Sequence, residues 1–348
     1  MKRTEISTLG EFGLIQHLTK NINLINSSTV KGVGDDCAIL KYNDDKEVLV
    51  TTDLLLEGIH FDLTYTPLKH LGYKSVMVNL SDIYAMNGRP KQITVSLGLS
   101  KRFCVEDVDQ LFSGILLACQ QHGVDLVGGD TSASMTGLTI SITAIGEGTK
   151  GKTVRRDGAK INDLICVSGN LGAAYMGLQI LEREKAVFEG TKEENIQPDF
   201  AGKEYLLERQ LRPEARRDII DRLEDKGIIP TAMMDISDGL SSELLHICHA
   251  SNVGCRVFED RIPIDFQTAS TAEEFNMSLT TAAMNGGEDY ELLFTVPLEL
   301  HDLIKQVEDV HLIGHICEKK FGSSLVARDN QEFELKAQGW QAFNNTEK

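Results

Sequence analysis

At 348 residues the chain exceeds one ordinary hydrophobic core. With 41% hydrophobic and 25% charged residues, its composition is that of a globular protein of two domains. A formal net charge of −17 argues against nucleic acid as a partner, because such affinity comes largely from Lys and Arg on phosphates. Seven cysteines without a Cys-x-x-Cys point to free thiols in a reducing compartment. With no apolar leader after Met1 and no membrane-length run, the expected location is cytoplasmic, with no membrane partner.

Residues 8–25 carry Leu9, Phe12, Leu14, Ile15, Leu18, Ile22 and Ile25 at roughly helical spacing. Glu47–Thr51 reads as a short apolar strand ending in Thr-Asp. Pro67 opens a helix through Leu71 and Val78 that Asn87-Gly88 and Pro90 close. Ile93, Val95, Leu97 and Leu99 alternate as a half-buried strand. Val105–His122 is an amphipathic helix with Gly123 just past its end. Val124–Val127 reads as a buried strand delivering Gly128-Gly129-Asp130, and Leu138 to Ala144 alternate again. Gly146–Lys160, rich in glycine and charge, is the expected boundary between domains 1–150 and 151–348. Beyond it, Leu164–Val167 is a strand and Arg216–Lys226 a helix. Ser237 is a cap candidate for a helix reaching about Asn252, and Leu292–Val296 is a strand. Segment 183–205 is polar. The mixture predicts an α+β protein.

Six segments set an aspartate beside Gly, Ser or Thr: Gly34-Asp35-Asp36, Thr51-Thr52-Asp53, Asn79-Leu80-Ser81-Asp82, Gly128-Gly129-Asp130-Thr131, Asp235-Ile236-Ser237-Asp238-Gly239 and Gly286-Gly287-Glu288-Asp289. Each has an ordinary structural explanation. Asp35 and Asp36 suit a surface turn, Asp53 a solvated strand end, and Asp82 a buried carboxylate bonded to Asn79 or Ser81. Asp235 and Asp238 suit a helix start. Together they offer more carboxylates than one Mg²⁺ needs, beside backbone that lets a ligand approach. Several Mg²⁺ ions imply crowded phosphate, and phosphoryl transfer follows as the reaction class.

Two other matches fail on context. Gly146-x-x-x-x-Gly151-Lys152-Thr153 fits the P-loop expression but lacks the helix that must follow it. His246-Ile247-Cys248-His249 spreads its side chains around one helix and has no second zinc-ligand pair.

Taken in order, these segments resemble the thiamine-monophosphate kinase family, within the aminoimidazole ribonucleotide synthetase superfamily. Gly-Val-Gly-Asp35-Asp36, Thr-Thr-Asp53 with His60-Phe61, Val-Asn-Leu-Ser-Asp82, Gly-Gly-Asp130-Thr, Arg156-Asp-Gly-Ala-Lys, Asp235-Ile-Ser-Asp238-Gly-Leu, Gly-Gly-Glu288-Asp-Tyr-Glu-Leu and the terminal Gly-Trp340 carry the likeness across nearly the whole chain. One departure is Asp157, where the family often has Ser.

The resemblance implies two α+β domains, an N-terminal one that dimerises and holds ATP and Mg²⁺, and a C-terminal one that completes the site. It implies a homodimer and direct transfer of the γ-phosphoryl group of ATP to thiamine monophosphate. It also implies Mg²⁺ ligation by Asp35, Thr51, Thr52, Asp53, Asp82, Asp130, Asp235 and Asp238. Gly129, Asp130, Arg156 and Ser237 would meet the nucleotide, and His60, Glu288 and Trp340 thiamine phosphate. Asp130, Asp238 and Arg156 would carry catalysis. Trp340 equally suits an anchor for the tail. A sister synthetase that activates an amide oxygen and closes a ring, or a nucleotide sensor without catalysis, are the competing readings.

Overall fold

The structure is a computed structural model that describes Gly13 and residues 27–338, apart from 33, 42–44 and 191–199. The helix expected over 8–25 and the Trp340 tail lie outside the described residues. Two sheets organise the rest. The first has the order β1 (Thr29–Lys31), β2 (Ala38–Leu40), β3 (Lys46–Leu56), β6 (Thr139–Thr149), β4 (Arg89–Leu99), β5 (Asp125–Ala133). The second runs β13 (Glu332–Glu334), β12 (Ser323–Val326), β9 (Gly254–Phe258), β11 (Val310–Cys317), β7 (Leu164–Ser168), β10 (Leu292–Val296), β8 (Ala232–Asp235). The expected α+β class holds.

Strand β3 is longer than the sequence pattern implied. It continues five residues beyond Glu47–Thr51's apolar run into Leu54-Leu55-Leu56 and pairs with β6 along its whole length, so Asp53 lies inside the strand rather than at its end. Thr51, Asp53 and Leu55 alternate on the inner face, which α1 (Leu68–Ala85) covers, while Leu54 points out and is exposed. Strand β5 also departs from expectation. It forms the outer edge of its sheet, it is largely exposed, and Gly128-Gly129-Asp130 sit within it, not after it.

Helix α1 begins after Pro67, whose φ of −64° suits the position, and is buried without a break from Leu71 to Ser81. It packs on β3, β4 and β6 on one side and reaches β8 of the second sheet on another. Helix α2 (Val105–His122) ends at Gly123 in the left-handed region, as its sequence implied. The two helices cross closely because neither has a side chain at the contact: a Cβ on Gly114 would lie 1.9 Å from the Lys69 carbonyl oxygen, and one on Gly72 2.0 Å from that of Leu111.

The second sheet is apolar on both faces, as a covered sheet must be. Ile165, Val167, Met234 and Leu293 face α6 (Leu240–Ser251). Cys166, Met233, Leu292 and Phe294 join the same apolar cluster as Leu49, Leu71 and Ile142 of the first unit. Helices α3 (Ala173–Gly190), α4 (Glu204–Leu211), α5 (Arg217–Asp225), α7 (Phe266–Glu274), α8 (Leu279–Asn285) and α9 (His301–Ile304) complete the described chain. Between Thr149 and Leu164 there is no helix, so Gly151-Lys152-Thr153 has no phosphate-binding helix behind it.

The glycine crossing gives a direct test. Gly114→Ala forces a methyl against backbone and should lower unfolding stability by about 1–3 kcal/mol. An unchanged urea midpoint would show that the helices do not depend on this approach.

Candidate active site

Strand β8 ends at Asp235, and helix α1 carries Asp82 three residues before its end. The turn after β1 carries Asp36. These three carboxylates come from remote parts of the chain, yet each offers an oxygen within 4.8 Å of the others. Around them the polar groups are placed with economy. Thr51 Oγ1 donates to Asp82 Oδ2 at 2.5 Å, and Ser81 Oγ donates to Asp235 Oδ2 at 2.6 Å. Asn79, fully buried, accepts from the Asp53 amide at 3.1 Å. Arg156 Nη2 donates to Asp36 Oδ1 at 2.7 Å.

This is an expensive arrangement for a fold to hold without counter-charge. Burial pushes the Asp36 carboxyl up to about 7 against the pull of Arg156, with neighbouring Asp235 and Asp35 adding to the rise. Burial also raises Asp53 to about 6, and Asp235 to about 6 despite the Ser81 hydrogen bond. Asp82 is pushed well above the carboxylate range by burial and by Asp53, Asp235 and Asp36. Asp36 Oδ2 is buried with no hydrogen-bond partner among the described residues. Clustered acceptor-only oxygens of this kind fit a hard divalent cation.

The cluster opens on a cleft of about 130 Å³ lined by Asp53, Leu55, His60, Val78, Asp82, Asp235, Ser237, Glu288 and Tyr290, among others. The Leu56 amide donates to His60 Nδ1 at 3.0 Å, which places the ring proton on Nε2. Glu288 and Tyr290 have φ of 65° and 51°. Their amides donate to the Ser237 and Ile236 carbonyls at 2.7 and 2.9 Å, strapping this segment to the loop after Asp235. A Cβ on Gly287 would lie 2.5 Å from the Ser237 oxygen, so glycine is needed there.

Several sequence candidates take other places. Of the adjacent pair, Asp36 rather than Asp35 joins the three-carboxylate cluster. Asp35 Oδ1 instead accepts from the Arg156 and Asp36 amides, each at 3.3 Å, with Lys31 Nζ 3.8 Å from Oδ2. Arg156 reaches the cluster, whereas Arg155 pairs outward with Asp157. Ser237 is not the helix cap. Gly239, at φ 119°, occupies that position, and buried Glu243 accepts from the Asp238 amide at 3.0 Å.

Thr52 lies on the exposed outer face, its hydroxyl donating to the Ile142 carbonyl. Gly129 and Asp130 are not brought to the cluster within one chain. Leu54, Ser141, Ser96 and Asp130 form one ladder across β3, β6, β4 and β5, so Asp130 shares the outer face with Leu54, opposite Asp53. Three strand spacings separate the ends of that ladder, roughly 14 Å. Gly129 has a steric reason of its own, since a Cβ there would meet the Val95 oxygen at 1.8 Å.

The Gly-Gly-Glu-Asp-Tyr-Glu-Leu segment rests on buried anchors beyond the aspartate pattern. Asp289 accepts from the Gly172 and Ala174 amides at the start of α3, and Glu291 is clamped by Arg209 and Arg216. Alternating acids within a short apolar stretch are the signal that marks such buried anchors. Lys74 and Gln210 both reach Glu288 and carry no signal in the motif itself.

Comparison with known proteins identifies the family. Residues 34–147 match the AIR synthase related protein, N-terminal domain, and residues 160–326 the C-terminal domain. A thiamine-monophosphate kinase of Aquifex aeolicus is 35% identical over 294 residues, 84% of this chain and 88% of that one. One of Bacillus subtilis is 32% identical over 340 residues, covering 96% and 100%. The solved structure of AaThiL complexed with AMPPCP and TMP superposes with a TM-score of 0.82 at 32% identity, covering 98% of this chain and 99% of that one. The hydrogenase maturation protein HypE in complex with ATP, at 17% identity and a TM-score of 0.68 over 97% and 98%, shares the fold. The chain belongs to the thiamine-monophosphate kinase family, built from an N-terminal and a C-terminal AIR synthase related domain.

Proposed function

We infer that this protein transfers the γ-phosphoryl group of ATP to thiamine monophosphate, giving thiamine diphosphate. The observation that carries the inference is the buried Asp36–Asp82–Asp235 cluster opening on a cleft whose other walls are His60 and Glu288. The relatives named above support the same reaction.

The donor set fits Mg²⁺, with Asp36, Asp82 and Asp235 as the inner ligands and Asp53, Asp238 and the Thr51 region beside them. Bound there, Mg²⁺ would neutralise phosphate charge and align donor and acceptor. The chain's own residues do the rest. Thr51 and Ser81 orient the carboxylates by each donating to one oxygen, of Asp82 and Asp235 respectively. Arg156 sets a guanidinium against the cluster, where it offsets negative charge and offers a fork to a phosphate. The acceptor is a phosphate monoester whose second pKa is about 6, so it is already nucleophilic at neutral pH and needs no general base. Catalysis is then positioning and charge stabilisation, without a phosphoenzyme.

Asp130 and Gly129 fit this reading in a homodimer. The outer face of the first sheet exposes Leu54 and Val127, and a second copy seated there would complete a nucleotide site from both chains. Among the described residues no helix is long and apolar enough to cross a membrane, and a cytoplasmic setting accords with the free thiols.

The deciding experiment follows ADP release with ATP, Mg²⁺ and thiamine monophosphate. Release that depends on thiamine monophosphate and yields thiamine diphosphate is expected. ADP release with an amide substrate alone would favour the sister synthetases, and none with either would leave a nucleotide sensor. Asp82→Asn and Asp130→Asn should each lower kcat at least about 10²-fold while leaving the fold intact. Wild-type turnover by Asp130→Asn at saturating Mg²⁺ would remove that residue from the site.

The raised carboxyl values give a pH test with a definite sign. Their native pKa values lie above the unfolded ones, so the native state binds more protons between about pH 4 and 7. Stability from these groups is complete below that window and lost as pH rises through 6 and 7. Without divalent cations the melting temperature should fall across this range, and Mg²⁺ should restore it at pH 8. A melting temperature indifferent to Mg²⁺ at pH 8 would count against the cluster as the metal site.

A further inference from the structure

Lys74 is a buried lysine in the middle of α1, only 3% exposed. Positions 74, 78 and 82 are four apart and share one face of the helix, and Val78 and Asp82 both line the cleft. Lys74 continues that stripe about 12 Å along the axis from Asp82, at eight residues of helical rise. It therefore marks the end of the cleft away from the acid cluster.

Its ammonium lies 3.0 Å from Glu288 Oε1 and donates to the Gln210 carbonyl at 3.0 Å. Gln210 Nε2 donates to Glu288 Oε2 at 2.7 Å. One donor thus comes from α1 and the other from α4, and both hold the same carboxylate. Its backbone is fixed in turn by the left-handed φ and the hydrogen bond to Ser237. Each carboxylate oxygen keeps an acceptor position beyond the one these donors use. The Glu288 side chain remains 30% exposed, on the cleft side.

A buried ion pair is a poor device for stability, since an apolar side chain of similar size serves the core as well without the cost of desolvation. Helix α1 is apolar through most of this stretch, and methionine would suit position 74. The pair is better explained by what Glu288 does in the cleft. On the reading that the acceptor is thiamine monophosphate, the phosphate belongs at the acid cluster and the cationic ring system at the far end.

We propose that Lys74 is a positioning residue for that cationic end: it holds the Glu288 carboxylate in place along the cleft, and so sets affinity for thiamine monophosphate without acting on the phosphoryl group. Gln210 is its partner in the same task.

The test is steady-state kinetics on the full chain, with wild type, Lys74→Met, Lys74→Arg and Gln210→Leu, and thermal melts alongside. Lys74→Met should raise KM for thiamine monophosphate by about ten- to a hundredfold, with kcat and KM for ATP within about threefold of wild type. Lys74→Arg should recover part of the loss. In a Glu288→Gln background the Lys74→Met change should add little, because the charge it serves is gone. An unchanged KM for thiamine monophosphate, or equal losses in kcat and in KM for both substrates, overturns the proposal. If Lys74→Met does not fold, Gln210→Leu decides by the same readout, and no rise in that KM is again a refutation. A wild-type protein that releases no ADP with thiamine monophosphate defeats the kinase reading and this proposal together, whereas an active wild type with an indifferent Lys74→Met defeats this proposal alone.

Discussion

The governing constraint is the burial of like charges. Asp36, Asp82 and Asp235 stand in one small volume, with Asp53 close by, and among the described residues only Arg156 brings a guanidinium against them. Water cannot solvate them fully, and among the described residues no second side-chain cation is bonded to them. Such a group of side chains persists only because rigid elements hold it, and here those elements are β3, α1, β8 and the turn after β1. A site of this kind stores unfavourable electrostatics that added positive charge would relieve.

The rest of the architecture serves that constraint. Helix α1 is the shared wall. It presents Asp82, Ser81 and Asn79 to the cluster, Val78 to the cleft and Lys74 to Glu288, and most of its remaining residues are buried. The loop after β8 and the Glu288–Tyr290 segment are bonded backbone to backbone, so the walls at the two ends of the cleft are parts of one structure. Two non-glycine residues at positive φ in that short segment, Glu288 and Tyr290, carry a conformational cost that the surrounding hydrogen bonds offset.

Much of this was legible in the sequence, and the misses have physical causes. Helix α2 fell where its apolar period and the end signal at Gly123 put it, and strand β10 where a short apolar run is bounded by Glu291 and Pro297. Strand β3 ran past its expected end because Thr-Thr-Asp looks like a terminus, while the alternation through Thr51, Asp53 and Leu55 continues beneath it. Strand β5 was expected to be buried. Its apolar start does not reveal that it is the last strand of its sheet, which is a property of topology and not of local composition. Asp35 and Asp36 are adjacent, so only the turn decides which joins the cluster. Lys74 was invisible for a different reason: a lysine on a helix is ordinarily solvated, and its burial depends on residues more than a hundred positions away.

The apolar cluster that joins Leu71 and Ile142 to Met233 and Phe294 runs through both family-matched halves without interruption. Severing the chain between Thr149 and Leu164 would leave each half with a raw hydrophobic wound. The halves are thus covalent neighbours and also a single melting unit. Hydrogen exchange along α1 would report the opening of the entire molecule, not of a detachable lobe.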